Sequence, residues 1–222
     1  MRRATAVPPR YRCAPPAQQR SRETMDRFAQ ATEELLKERP FESISVQDIA
    51  RHAGRPVGSF YARFGSKDAL LPFLYERFHV GLEPLVAARL ARVDWNGLDF
   101  TTTVGGIVDI VMGLYDERRW LMRTLSVFAR TRPEAMPAEL VRQRARVFEH
   151  PARVLARHAD RITHDDVEAA CVFGLYLVST VAREKLVFGE VPLSRIVGLS
   201  RRALRDELVR TLHSYLTGEK PR

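Results

Sequence analysis

Apolar positions recur at helical spacing along this chain, so the elements they predict are helices. Phe28, Ala31, Leu35 and Leu36 mark a first helix over 21–39, stopped by Pro40, which has no N–H to donate. A long helix is expected over 66–92, carrying Leu70, Leu74, Phe78, Leu82 and Val86. Pro72 and Pro84 each remove a donor there and are expected to bend it. Val104, Ile107, Val108, Val111 and Met112 share one face of 100–115, and Leu121, Leu125 and Phe128 one face of 120–130. A helix over 137–159 is expected to break at Pro151. Thr163 and Asp166 have the spacing of a capping box and open a helix to 188. The middle of that helix is apolar nearly all round, so it needs cover on two sides. A stripe through Ile196, Leu199, Leu204, Leu208 and Leu212 predicts an amphipathic last helix over 194–216. The reading is an all-α protein.

Residues 45–71 interrupt this run of long helices with two short ones. Ser45 and Asp48 are spaced as a capping box, Ile49, Ala50 and Ala53 give the short helix an apolar side, and Gly54 can end it in the left-handed conformation. Pro56 suits the first position of a second helix over 56–63. Ser66 is placed to cap the next, with Lys67 and Asp68 in its first turn. Helix, glycine turn, helix is the arrangement whose second member enters the DNA major groove. The small residues Val57, Gly58 and Ser59 would let its backbone approach base edges, while Tyr61, Arg63 and Lys67 are spaced to reach phosphates. Phe28, Leu35, Phe41, Ile44, Ile49, Phe60 and Phe64 are the candidate core around the motif.

The segment resembles the DNA-binding domain of the TetR family of transcriptional regulators. The likeness rests on Val46, Asp48, Ile49, Ala50, Ala53, Gly54, Gly58, Tyr61, Phe64, Ser66, Lys67 and Leu70, with Ser45 and Ser59 standing where the family has threonines. It covers about residues 22–71. Arg55 and Pro56 replace the family's Val-Ser, Pro40 replaces a Gly and Ala69 an acid. An unpaired arginine is costly to bury, so Arg55 is expected to turn outward.

Residues 1–20 are rich in Arg, Pro and Ala without apolar periodicity and are expected to form a flexible basic arm. The resemblance implies an N-terminal three-helix helix-turn-helix DNA-binding domain over 21–67. A larger C-terminal helical domain for ligand binding and dimerisation would follow over 68–222. Base contacts would come from Arg55, Val57, Gly58 and Ser59, and phosphate contacts from Ser45, Tyr61, Arg63 and Lys67, on a palindromic operator in double-stranded DNA. The two C-terminal helices would form a homodimer. An apolar or aromatic effector would sit among Trp95, Met112, Trp120, Phe128, Phe148, Phe173 and Tyr176. The implied function is a repressor released from its operator by a small molecule. Alternatives are an activator or dual regulator on the same scaffold, a helical enzyme or ligand carrier, or a nucleoid protein without sequence preference.

Composition agrees with a polyanion partner: the net charge is +9 and the pI about 10.1. To residue 22 the arm holds Arg2, Arg3, Arg10, Arg12, Arg20 and Arg22 and no acid, a charge pattern suited to phosphates or the minor groove. Cys13 and Cys171 make no disulfide framework, which points to a reducing cytoplasm. The N-terminal arginines have no apolar stretch behind them, so no signal peptide is expected. The uncharged run 169–182 is too short to span a bilayer. His158 and His164, with Asp165, Asp166 and Glu168, straddle a loop and a helix cap without close ligand spacing, so no metal is expected. No phosphate loop or nucleophile elbow appears, hence no enzyme and no cofactor.

Overall fold

The computed structural model describes residues 19–135 and 138–218. Every regular element among them is helical: α1 Gln19–Leu35, α2 Val46–His52, α3 Val57–Phe64, α4 Leu70–Leu90, α5 Phe100–Glu117, α6 Arg119–Thr131, α7 Ala138–Leu155, α8 Val167–Val187, α9 Pro192–Arg195 and α10 Arg201–Thr217. Most of the expected arm lies outside the described residues; its last two positions, Gln19 and Arg20, already belong to α1.

The chain forms two compact units, the first reaching to Val80 and including Trp120–Val141, the second made of Gly81–Arg119 and the residues from Arg142. In the first, α1, α2 and α3 close on a core of Phe28, Met25, Ile44, Ile49, Phe60 and Phe64, all fully buried. The Phe60 ring lies 5.2 Å from that of Phe28 and 5.0 Å from that of Phe64, and Phe73 of α4 meets Phe64 edge-on at 5.7 Å. Such aromatic pairs are worth about 0.5–1.5 kcal/mol each beyond area burial. Arg77 of α4 reaches Asp26 at 2.7 Å and Glu33 at 3.4 Å on α1. The first helix ends earlier than expected, at Leu35, because the next amides turn back on near carbonyls, Lys37 to Glu34 and Glu38 to Leu35, both at 3.1 Å. Pro40 then opens a single 3-10 turn, Phe41–Ser43.

In the second unit α5, α8 and α10 pack on one another. Val104, Ile107, Val108 and Met112 of α5 are fully buried, as are Leu175 and Cys171 of α8 and Leu216 of α10. Gly174 permits the close approach of α8 and α10: a Cβ there would stand 2.5 Å from Leu212 Cδ1. Arg205 grips Asp109 through two bonds of 2.7 and 2.8 Å, and Arg201 pairs with Asp116, fastening α10 to α5.

Several boundaries differ from the periodicity. Pro72 falls in the first turn of α4, where amides have no intrahelical partner to lose, and Pro84 sits inside a continuous α4. Pro151 lies within an unbroken α7, which gives way to a 3-10 turn only at Ala156–Arg161. Asp166 alone caps α8, accepting from the Ala169 amide at 2.9 Å; the Thr163 amide instead donates to the Leu216 carbonyl. The last helix is two pieces, because Ser200 caps α10 through the Ala203 amide and leaves Ile196 outside the buried stripe, 75% exposed. Finally, α8 is covered along one side only: Phe173, Tyr176 and Val181 are 48%, 55% and 44% exposed.

Candidate nucleic-acid interface

The capping box at the start of α2 is formed on both arms. The Asp48 amide donates to Ser45 Oγ at 3.1 Å, and the Ser45 amide donates to Asp48 Oδ2 at 3.2 Å. The Ser45 hydroxyl also gives its proton to that carboxylate at 2.7 Å. These bonds, the hydroxyl's first, hold the Asp48 carboxyl below the usual aspartate range; Arg39 and Arg51, at 2.9 and 2.7 Å, act in the same direction. Ser45, assigned to a phosphate from sequence, is thus engaged within its own helix cap.

Helix α2 ends in a Schellman turn. Gly54 takes φ +61°, its amide donates to the Arg51 carbonyl and the Arg55 amide to that of Ala50. Pro56 stands just outside α3 as its N-cap rather than as its first residue. Phe60 and Phe64 bury one side of α3, which leaves Arg55, Pro56, Gly58, Tyr61 and Ala62 exposed and Val57 and Ser59 half-buried. A Cβ on Gly58 would meet nothing within 4 Å, so the start of α3 presents bare backbone to solvent. Arg55 is exposed, as its charge requires.

The polar side chains of α3 divide into two kinds. Tyr61 is 48% exposed and points its phenol away from the core. Arg63 instead folds back along its own helix, with Nη1 donating to the Ser59 carbonyl at 2.9 Å and to Ser59 Oγ at 3.0 Å. Lys67 lies farther from its expected role. Its Nζ donates to the carbonyls of Phe41, Glu42 and Ile44 at 2.9, 3.2 and 2.9 Å, and sits 4.7 Å from the centre of the Phe41 ring. All three ammonium donors therefore have partners inside the domain, leaving none for a phosphate in this conformation. Sequence spacing carries no signal for this clamp, because its partners are twenty-three or more residues away.

The seven candidate effector contacts are divided between the two units. Trp120 and Phe128 belong to the first unit, where Trp120 is exposed and Phe128 buried. Met112 is sealed in the core of the second unit, Phe148 is half-buried on α7, and Phe173 and Tyr176 face outward from α8. Trp95 lines a cavity of about 410 Å³, with Leu90, Val154 and Arg157 among its other walls. Among the described residues no group of three His, Cys, Asp or Glu is placed to hold a metal, and no helix is long and apolar enough to cross a membrane.

A glycine-turned pair of short helices with the start of the second one bare is a helix-turn-helix unit of the DNA-binding class. Residues 29–72 match the family profile described as bacterial regulatory proteins, tetR family. Two uncharacterised HTH-type transcriptional regulators of Bacillus subtilis (strain 168) are similar in sequence. YwcC is 43% identical over 54 residues, 24% of each chain, and YvdT 30% identical over 84 residues, 38% of this chain and 41% of YvdT. The match thus spans under half the length of these curated relatives. A solved transcriptional regulator from Rhodococcus sp. Rha1 shares the fold at a TM-score of 0.60 and 23% identity, covering 87% of this chain and 96% of that one. Residues 29–72 thus match the DNA-binding domain of the TetR family, and over the remainder the likeness is one of fold alone.

Proposed function

We propose that the protein is a homodimeric, sequence-specific DNA-binding transcriptional regulator that represses by occupying a palindromic operator and leaves it when a small molecule binds. The observation that carries this reading is the start of α3, where a Cβ on Gly58 would meet nothing within 4 Å while Phe60 and Phe64 of the same helix are buried in the core. Bare backbone on a rigid support is what close approach to base edges needs. Arg55, Val57, Gly58 and Ser59 are assigned to bases and Tyr61 to a phosphate. Arg63 is assigned to a phosphate after release from Ser59, and Ser45 to another after release from its cap with Asp48.

The uncovered side of α8, with Phe173, Tyr176 and Val181, supports pairing of α8 and α10 with a second copy. A two-fold dimer would then place two α3 helices on half-sites about 34–36 Å apart or a multiple of that distance. The test is selection of random duplexes by the purified chain, followed by anisotropy titrations of selected and scrambled sequences at several salt concentrations. Two inverted half-sites with at least ~1,000-fold preference are expected. Equal affinity for both duplexes would overturn the reading.

A further inference from the structure

The cavity in the second unit opens between the end of α4, the 91–96 loop and the end of α7. At about 410 Å³ it falls within the range of small-molecule sites, roughly 300–1,000 Å³. Its floor is apolar: Ala87, Leu90 and Val154, with Trp95. The indole of Trp95 is fixed, because its N–H donates to the Leu90 carbonyl at 2.8 Å and its ring lies on Gly106, where a Cβ would come within 3.1 Å of two ring carbons.

The opposite wall is basic. His150, Arg153 and Arg157 follow one another at helical spacing and turn toward the same space. His150 faces Glu83 at 3.3 Å and Arg153 faces Glu149 at 3.4 Å. Arg157 has no hydrogen bond or ion pair among the described residues. The rim also holds Asp94, whose carboxylate accepts from the amide and side chain of Asn96, both at 3.0 Å. One uncompensated guanidinium over an aromatic floor, beside a carboxylate that disfavours a second negative charge, matches a monoanion with an apolar body. Guanidinium and carboxylate pair through two parallel bonds, which a neutral molecule cannot reproduce. A bare inorganic anion would leave the apolar floor wet.

We infer that this cavity binds a small organic monocarboxylate, its apolar or aromatic body against Trp95 and its carboxylate on Arg157. The inference names the ligand class for the effector role proposed above, and rests on that reading only for the consequence in DNA binding.

The chain has two tryptophans, so in a Trp120→Phe background Trp95 is the sole indole reporter. Titration of this 222-residue chain with phenylacetate and with hexanoate should give a saturable change in its emission. Phenylacetamide should bind at least tenfold more weakly, inorganic phosphate should leave the emission unchanged, and Arg157→Gln should weaken phenylacetate at least tenfold. Calorimetry on the chain with both tryptophans supplies the same comparison if the background variant does not fold. No saturable response to either carboxylate by both methods, equal binding of the amide, or undiminished affinity in Arg157→Gln would each overturn the inference. Anisotropy on the selected duplex with and without phenylacetate is scored separately. A carboxylate that binds without loosening DNA upholds the site and defeats the effector reading, and a chain indifferent to DNA defeats only the regulatory reading.

Discussion

The ammonium of Lys67, just before α4, donates to the carbonyl of Ile44, the residue before the cap of α2, at 2.9 Å. With the bonds to Phe41 and Glu42 it closes the loop that sets where α2 begins. A lysine at this position acts as an internal cation for three carbonyls of the 41–44 segment, of which that of Phe41 also accepts the Ile44 amide. Lys67→Met should therefore lower stability by about 1.5–3 kcal/mol, the range for hydrogen bonds to charged groups, read as a fall in Tm on the order of 5 °C. It should weaken DNA binding while leaving the salt dependence of affinity unchanged. A slope reduced by about one unit, with Tm intact, would restore the phosphate contact expected from sequence.

Gly54 and Gly58 both lie in the motif, yet they should respond oppositely to a methyl group. Gly54 holds φ +61°, so Gly54→Ala should cost about 1–2 kcal/mol of stability by thermal melting. Gly58 is helical with open space around it, so Gly58→Ala should hold or raise stability by up to about 1 kcal/mol. Only its effect on DNA should be adverse, through the added bulk at the approach to base edges. Loss of fold in Gly58→Ala would mean that its exposed face is structural.

The exposed aromatic face of α8 predicts a solution dimer. Tyr176→Glu places a charge beside Phe173 in a face that, once paired, would exclude water. Light scattering should show a dimer for the natural chain and a monomer for the variant, with helical content kept. An interface of about 1,600 Å² would be ordinary for such a contact. A natural chain that stays monomeric at high concentration would rule out this use of α8.

The capping carboxylate makes an acid prediction. Asp48 is held below the ordinary aspartate value of 3.8 by Ser45 first, so the fold favours its charged form. Its stabilisation is fully present above that value and is lost as pH falls through it toward the folded-state pKa. The urea midpoint should drop between about pH 5 and pH 3. Asp48→Asn should be less stable at pH 7 and show a flatter acid limb. Asp99, lowered by the Thr102 amide it caps, has the same sign and keeps some slope in the variant. A variant as steep as the parent would remove Asp48 from the acid response.

The periodicity of apolar residues, the Ser45–Asp48 spacing and Gly54 by themselves determined an all-helical chain, the capped α2 and the turn into α3, because each depends on neighbours within about four residues. The core positions Phe28, Phe60 and Phe64 were legible for the same reason: large apolar groups at helical spacing have to be buried. Tertiary structure decided what local spacing cannot express. Lys67 turned inward to carbonyls twenty-three and more residues away, and Ile196 lost its place on a helix that Ser200 restarts. Phe173 and Tyr176 were left outside, because α8 has only one side covered within the chain. Aromatic residue type marked candidates for a cavity wall, but only long-range packing set Trp95 on Gly106 and opened Arg157 to the same space. A side chain's partners across the fold depend on where whole helices come to rest, and that is a sum over contacts no short stretch of sequence contains.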